Sequence, residues 1–235
     1  ESLGSQTRAD PSPQPSPARG EGVTLRETAM QAIAKWQATS VDSRVLIIKQ
    51  CAPEFAPIIE PIAREKLANP IQLPGPTGED NRLSLLGRGP ILLAVTQADT
   101  IAAAEKQIAS ALLCGCPVII AADQSHQPAL EAVQARYQHA ALPSGLLQLE
   151  PLQSFAGIVK DKGIEGIMAN SLNKDSSQIR QLMAQRTGSI IPLIEWPEND
   201  RGYNYHWLLW FLSERTRTEN LVARGGNTQL FNLAE

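Results

Sequence analysis

The stretch PILLAVTQADTIAAAEKQIASALLCGCPVIIAA, residues 90–122, decides the fold of this 235-residue chain. Its two ends, ILLAV and VIIAA, are short runs without a polar residue, and the segment between them has apolar residues at helical spacing. Strands that are apolar on both faces are typical of a buried parallel sheet, in which a helix makes the crossover. The stretch therefore predicts two parallel strands joined by a helix, which Asp99 or Thr100 caps and Gly115 ends.

The same alternation continues toward the C-terminus. We predict a helix over 125–138, a strand in GIEGIMAN (163–170), a helix over 175–188 and a strand in SIIPLIEW (189–196). Pro192 indicates an edge position or a bulge for the last strand, because proline cannot donate to a neighbouring strand. The predicted fold class is α/β: a small Rossmann-like parallel sheet with helices on both faces, preceded by a helical segment and followed by a β-flap and tail.

The segments outside the α/β region differ in composition. Residues 1–22 are rich in Pro and Ser and almost free of apolar residues, which predicts a disordered linker. Residues 23–72 form the predicted helical segment, with Pro57 and Pro61 in the first turn of its third helix. Residues 73–212 are the predicted Rossmann-like domain, and 213–235 are the predicted flap and tail.

Composition excludes several classes of function. The net charge of −3 offers no electrostatic case for nucleic-acid binding, and no apolar run is long enough to span a membrane. Three cysteines, Cys51, Cys114 and Cys116, are an odd number that does not suit a disulfide framework, and we expect a cytoplasmic protein. We expect Cys114 and Cys116 to be small residues at a helix-to-strand corner rather than a metal or redox site. Because the chain does not begin with Met and no apolar leader is present, we expect a fragment of a longer polypeptide.

The chain lacks the known signatures of cofactor binding and catalysis. The residues after the first predicted strand, TQADTIAAAE, contain no glycine, whereas a dinucleotide-binding loop needs glycines so that its backbone can approach the pyrophosphate. Cys51 and His206 are isolated candidates for nucleophilic chemistry without a surrounding motif. Glu79 and Asp80 are adjacent acids near Arg82, which favours a turn with an ion pair over a metal site. We therefore assign no catalytic, cofactor-binding or metal-binding residue.

Two stretches resemble a known family. LPGPTGEDNRLSLLGRGPILLAV (73–95) resembles the loop and strand that follow the aldehyde dehydrogenase domain in proline utilization A, and SERTRTENLVARGGNTQLFNLAE (213–235) resembles that family's C-terminal tail. The resemblance covers residues 73–235 and is clearest at its two ends. The chain departs from the family pattern at Asp80, where the family has Arg, and at Thr216 and Thr218, where it has Ser. It departs again at Leu221, where the family has Thr, and at 228–229, where it has Ala-Ser.

The resemblance implies a role in proline catabolism. Members of this family oxidise proline with FAD, oxidise the resulting glutamate semialdehyde with NAD, and pass the intermediate through an internal tunnel. It implies that this region is non-catalytic, holds neither cofactor, packs on the aldehyde dehydrogenase domain of the same polypeptide and reaches a second subunit through the flap. A peripheral position of the full-length enzyme at the inner membrane surface is compatible with it.

The resemblance also implies two groups of functional residues. The first is a loop at the junction between domains, formed by Gly75, Pro76, Thr77, Gly78, Glu79 and Asn81. The second is a tail that helps to close the tunnel, formed by Asn220, Gly225, Gly226, Asn227, Leu230 and Phe231. Two alternatives stay open at this point: a residual NAD-binding or dehydrogenase module, and a free-standing regulatory interaction domain.

Overall fold

The computed structural model of the chain describes residues 25–170, 176–197 and 199–221. It begins with three helices: α1 (Leu25–Ala38), α2 (Val41–Cys51) and α3 (Ala56–Leu67). The predicted helical segment is therefore confirmed where it is described. Pro57 lies in the first turn of α3 as expected, but the expectation for Pro61 was wrong, because Pro61 lies inside the helix.

The α/β region follows a short antiparallel pair of strands, β1 (Ile71–Leu73) and β2 (Glu79–Gly87). Its elements are, in chain order, β3 (Ile91–Val95), α4 (Ile101–Leu113), β4 (Val118–Ala122), α5 (Gln127–His139), β5 (Leu147–Pro151), α6 (Phe155–Val159), β6 (Gly166–Ala169), α7 (Ser176–Ala184) and β7 (Leu193–Glu195). The described chain then closes with α8 (Tyr205–Leu208) and β8 (Leu212–Asn220). Single 3-10 turns precede α6 and flank α8.

Five strands form one parallel sheet in the order β5-β4-β3-β6-β7. Strand β3 lies at the centre, with Leu93 opposite Ile120 of β4 on one side and Met168 of β6 on the other. The predicted fold class is confirmed, and the last predicted strand, β7, is an edge strand as Pro192 indicated. The prediction missed β5 and α6, because the alternating sequence LQLEP of β5 belongs to a sheet edge and lacks a continuous apolar run.

Helices cover both faces of the sheet. The larger core joins α1–α5 to one face, which includes Ile91, Leu93 and Ile120. The smaller core joins α6 and α7 to the other face, which includes Leu92, Ile119 and Ile167. None of the helices in the described ranges combines the length and the apolarity that a membrane span requires.

The helical segment packs against the end of α4. The indole Nε1 of Trp36 donates a hydrogen bond to the carbonyl oxygen of Leu112 at 2.8 Å, and Arg44 Nη1 donates to that of Leu113 at 2.8 Å. These carbonyls belong to the last turn of α4, where a carbonyl group no longer has the i+4 N–H partner of a continuing helix. Gly115 then leaves the helix with a φ of +89°, as predicted from its position. The side chains of α1 and α2 thus cap the central helix of the α/β region.

Candidate functional site

The strand order creates a crevice at the carboxyl edge of the parallel sheet. The chain leaves β3 toward α4 and β4 on one side, and the later strand β6 lies on the other side of β3. Open α/β sheets bind their ligands at such a reversal of strand order, outside the carboxyl ends of the strands. The residues that follow β3, β4 and β6 are therefore the place where a cofactor site is expected.

Asp99 occupies this crevice. Its side chain is buried, with 6% exposed, and its Oδ2 accepts hydrogen bonds from the backbone nitrogen and the hydroxyl of Thr96 at 2.7 and 2.8 Å. Its Oδ1 accepts one from Asn170 Nδ2 at 3.1 Å. Thr96 follows β3 and Asn170 follows β6, so a carboxylate of the chain itself bridges the two sides of the strand reversal. Sequence analysis considered Asp99 only as a helix cap.

The cap of α4 is Thr100, whose hydroxyl accepts a hydrogen bond from the nitrogen of Ala103 at 3.2 Å. A nucleotide phosphate in a Rossmann fold uses glycine-rich backbone and free N–H groups at this helix end. Here the loop has no glycine, a hydroxyl takes one N–H of the first turn, and the Asp99 carboxylate takes the N–H of Thr96. The residues of this crevice do not fit the pyrophosphate of a dinucleotide.

The loop after β4 joins the same network. His126 Nε2 lies 2.9 Å from the carbonyl oxygen of Asp99, and since a carbonyl only accepts, this nitrogen donates. The hydroxyl and the backbone nitrogen of Ser125 donate to Asp123 Oδ1 at 2.7 and 3.0 Å. These two hydrogen bonds lower the pKa of the exposed Asp123 carboxyl. The three βα loops are therefore tied to one another through Asp99 and His126.

An apolar cavity of about 320 Å³ lies beside Thr96, on the side of the sheet that α6 and α7 cover. Its lining includes Ala94, Leu152, Phe155, Ile179 and Leu182. Within the described ranges, no group of three or more His, Cys, Asp or Glu side chains could hold a metal ion. The described polar groups at this edge of the sheet hydrogen-bond to one another.

The second feature is a three-stranded antiparallel sheet in the order β1-β2-β8, here called the flap. Of the predicted junction loop, Gly75, Pro76, Thr77 and Gly78 lie between the first two strands, whereas Glu79 and Asn81 lie in β2. The nitrogen of Glu79 donates to the carbonyl oxygen of Pro76 at 3.2 Å, and Gly78 has a φ of +93°. This arrangement is a tight turn that requires glycine at its third position. Gly75 lies against the side chain of Asn81, which a Cβ at Gly75 would meet at 2.1 Å.

The flap joins the two stretches that carry the family resemblance. Strand β2 pairs with β8 along nine positions, from Glu79 opposite Asn220 to Gly87 opposite Leu212. The nitrogen of Leu221 continues the contact by donating to the carbonyl oxygen of Gly78 at 2.7 Å. Sequence analysis predicted a loop where β1 and β2 lie and did not pair these stretches, because each is too polar to show the pattern of a buried strand.

One face of the flap is charged, and the other, here called the apolar face, carries Leu73, Leu83 and Leu85 together with polar residues. Residues directly opposite each other share a face, so Asp80 lies beside Glu219 and Arg82 beside Arg217. The ion pairs run along each strand instead, from Arg82 to Asp80 at 2.8 Å and from Arg217 to Glu219. The pKa of the Asp80 carboxyl is lowered, chiefly by a hydrogen bond with Gln72 and next by Arg82.

The apolar face of the flap begins in the core and ends in solvent. Leu85 is buried and belongs to the larger core, Leu83 and Leu73 are half-buried, and Ile71 is 37% exposed. In β8 the same face carries the exposed side chains of Glu214, Thr216 and Thr218. The apolar residues of this face are therefore covered by the larger core only at its base.

The base of the flap is fixed to the α/β region. Arg88 Nε donates to the carbonyl oxygen of Trp210 at 3.1 Å, and its Nη2 donates to that of Leu212 at 3.0 Å. Gln37 Nε2 of α1 donates to the carbonyl oxygen of Gly87 at 2.8 Å. The end of β2, the start of β8 and the helical segment therefore meet at one place.

The three cysteines are free and buried. Cys114 and Cys116 lie at the corner between α4 and β4, as predicted, and Cys116 Sγ lies 3.1 Å from the carbonyl oxygen of Phe211. Burial raises the pKa of the Cys51 and Cys116 thiols to about 11. These thiols are therefore poor nucleophiles at neutral pH. His206 is exposed on α8.

Cys51 also lines a cleft of about 390 Å³ between the α2–α3 turn, α4 and α5. The cations in this cleft are already paired, Arg136 with Glu105 and Lys106 with Asp200. Of the predicted tail residues, Asn220 ends β8. The others, Gly225, Gly226, Asn227, Leu230 and Phe231, lie outside the described residues, as does the predicted linker 1–22.

No protein-family model matches this chain, and no curated protein matches it in sequence. Solved structures do match. A proline utilization A from Bradyrhizobium japonicum aligns with 73% of this chain and 21% of its own, with a TM-score of 0.68 and 20% identity. For proline utilization A from Bdellovibrio bacteriovorus, the alignment covers 73% of this chain and 22% of the Bdellovibrio chain, with a TM-score of 0.62 and 14% identity. For an NAD-dependent benzaldehyde dehydrogenase from Corynebacterium glutamicum, the alignment covers 73% of this chain and 45% of the dehydrogenase chain, with a TM-score of 0.59 and 16% identity.

These matches establish the fold. The α/β region has the fold found in proline utilization A proteins and in aldehyde dehydrogenases, which confirms the fold that the resemblance implied. The chain spans about a fifth of the length of the proline utilization A chains.

Proposed function

We propose that this chain is the non-catalytic C-terminal region of a bifunctional enzyme that oxidises proline to glutamate in the cytoplasm. In this proposal FAD and NAD are bound elsewhere in the polypeptide. The region packs on the aldehyde dehydrogenase domain, helps to close the tunnel through which the intermediate passes, and supports assembly with a second subunit through the flap.

The pairing of β2 with β8 is the observation that carries the proposal. The two stretches that resemble proline utilization A lie at opposite ends of the α/β region in sequence, yet they are neighbouring strands of one flap. A family resemblance in two separate motifs gains support when the motifs meet in one structural unit. The solved structures that share this fold include proline utilization A proteins.

The apolar face of the flap supports a docking role. Leu73 and Leu83 are half-buried within this chain, whereas the tip of the flap is solvent-exposed. The outer edge of β8 has no strand beside it among the described residues. Exposed edges and apolar faces of this kind are used to bind other chains. The connection between β1 and β2, which holds most of the predicted junction loop, lies at this tip, and in this proposal it contacts a neighbouring domain.

The proposal is tested by placing a charge on each face of the flap in the full-length polypeptide. Leu83→Lys changes the apolar face, and Ser84→Lys, at the next position of the same strand, is the matched control on the charged face. We expect Leu83→Lys to lengthen the lag before NADH appears when proline is the substrate, while each half-reaction assayed alone keeps its rate. Ser84→Lys leaves the lag unchanged.

The alternatives predict different results. A residual NAD-binding or dehydrogenase module would bind NAD in the isolated chain, whereas the proposed region would not. A free-standing regulatory domain would show no coupling to proline oxidation, and its gene would have no long reading frame upstream. Equal lags in the two variants and the unmodified enzyme would contradict the proposal.

A further inference from the structure

We infer that Asp99 is a built-in anion that keeps phosphate groups out of the crevice at the carboxyl edge of the sheet. This inference rests on the proposed function and deepens it, because it names the residue that makes the region unable to bind a dinucleotide. The carboxylate lies at the strand reversal where such a fold binds its ligands, and it accepts hydrogen bonds from Thr96 and Asn170 on the two sides of that reversal.

Position is the first support. Asp99 directly precedes the cap of α4, and its carboxylate lies between the ends of β3 and β6. This is the strand reversal at which α/β sheets bind ligands, and the N-terminus of the following helix favours a negative charge there. The Asp99 carboxylate supplies this negative charge from within the chain.

Hydrogen bonding is the second support. Both oxygens of the carboxylate are engaged, Oδ2 by Thr96 and Oδ1 by Asn170. The backbone oxygen of the same residue accepts from His126. A phosphate entering the crevice would have to displace these contacts, so exclusion combines repulsion between like charges with the loss of hydrogen bonds.

The matched control lies on the same edge of the sheet. Asp123 directly follows β4, but its carboxylate is on the surface and accepts hydrogen bonds from Ser125. Asp123→Asn therefore changes the net charge by the same amount as Asp99→Asn, at the same edge of the sheet, while the hydrogen bonds to the Asp99 carboxylate stay in place. The amide in Asp99→Asn is close in size to the carboxylate and retains an oxygen that can accept from Thr96.

The test measures inorganic pyrophosphate binding to the chain by calorimetry and by amide chemical shifts. We expect Asp99→Asn to bind pyrophosphate at least about tenfold more tightly than the unmodified chain, since a like charge has been removed from the site. The shift changes should centre on the amides of Thr96 and Ala103. Asp123→Asn should bind as weakly as the unmodified chain. Asp99→Ser, which also removes bulk, should bind at least as tightly as Asp99→Asn.

Three results would overturn the inference. Equal weak binding by all variants would mean that the backbone, and not the charge, excludes phosphate. Equal gains in Asp99→Asn and Asp123→Asn would mean a general effect of net charge. Pyrophosphate binding by the unmodified chain as tight as by Asp99→Asn would mean that Asp99 excludes nothing. If Asp99→Ser does not fold, as judged by its thermal transition, Asp99→Asn alone decides. The flap experiment does not depend on these outcomes, so the two proposals fail separately.

Discussion

Gly87 and Gly115 lie in backbone contact where the flap meets the end of α4. A Cβ at Gly87 would stand 2.6 Å from the carbonyl carbon and oxygen of Gly115 and 2.8 Å from the carbonyl oxygen of Cys114. These atoms belong to the backbone and cannot rotate away, so only glycine allows this approach.

We therefore expect Gly87→Ala to lower the free energy of unfolding by about 1–3 kcal/mol, the usual cost of forcing atoms into a packed site. Urea denaturation measures it. Gly157→Ala in α6 is the control, because a Cβ there meets nothing within 4 Å and alanine favours a helix by roughly 0.5–1 kcal/mol. If the two variants were equally stable, the contact between the glycines would not constrain the flap.

The buried thiols make stability depend on alkaline pH. Burial raises the pKa of Cys51 and Cys116 from 9.0 to about 11. Between these values the unfolded chain has lost the thiol protons and the folded chain still holds them. The free energy of unfolding should therefore be at its full value below pH 9 and fall as the pH rises to about 11.

Denaturant titrations across pH 8–11 test this expectation. The double variant Cys51→Ser with Cys116→Ser should show a smaller decrease than the unmodified chain, because serine does not ionise in this range. Tyr203 should contribute to the remaining decrease, since burial raises its pKa to about 12. An identical pH dependence in both chains would contradict the thiol assignment.

Single residues show how far the sequence could predict the crevice. The N-cap of α4 was predicted as Asp99 or Thr100, and local spacing does not distinguish two adjacent residues that both favour caps. In the structure the Asp99 side chain accepts a hydrogen bond from Asn170 instead of capping the helix. Asn170 is distant in sequence and comes close to Asp99 only when β6 lies beside β3 in the folded sheet. The absence of glycine after β3 was visible in the sequence, whereas the carboxylate that fills the crevice was not.

Among the elements, the flap depends on Arg88 at its base. Its guanidinium donates to the carbonyl oxygens of Trp210 and Leu212, so it joins the end of β2 to the start of β8. We expect Arg88→Met to speed amide hydrogen exchange in residues 213–220 while the amides of β3 and β4 keep their protection. Arg82→Met, a change of the same kind on the exposed face, should have little effect. Faster exchange throughout the sheet would contradict a local role.

The elements that the sequence missed share one physical property. Strand β5 lies at the sheet edge and β1 and β2 lie in the flap, so none of them has both faces buried. Their sequences therefore lack the continuous apolar runs that identified β3 and β4. The pairing of β2 with β8 also joins residues that are distant in sequence, and no local pattern encodes such a partner.

For the whole molecule, the helical segment is part of the α/β fold. Trp36 and Arg44 hydrogen-bond the last turn of α4, and desolvation by burial lowers the pKa of the Arg44 guanidinium. We expect a chain that begins at residue 70 to lose its cooperative thermal transition, because the larger core would be exposed. A chain that begins at residue 24 should keep the transition of the full chain. If the shorter chain melted at the same temperature, the helices would form an independent unit.

The position of the flap strands also sets an order of events during synthesis. All of the parallel sheet lies between β2 and β8 in sequence, because residues 88–211 separate the two strands. A ribosome therefore delivers every strand of that sheet before it delivers β8, and one edge of β2 stays unpaired until β8 has been synthesised. Pairing β2 with β8 closes a loop of residues 88–211, and the entropic cost of this closure is high unless the folded sheet already holds the two strands close together. In a nascent chain the flap is thus completed only after all five strands of the parallel sheet have been synthesised.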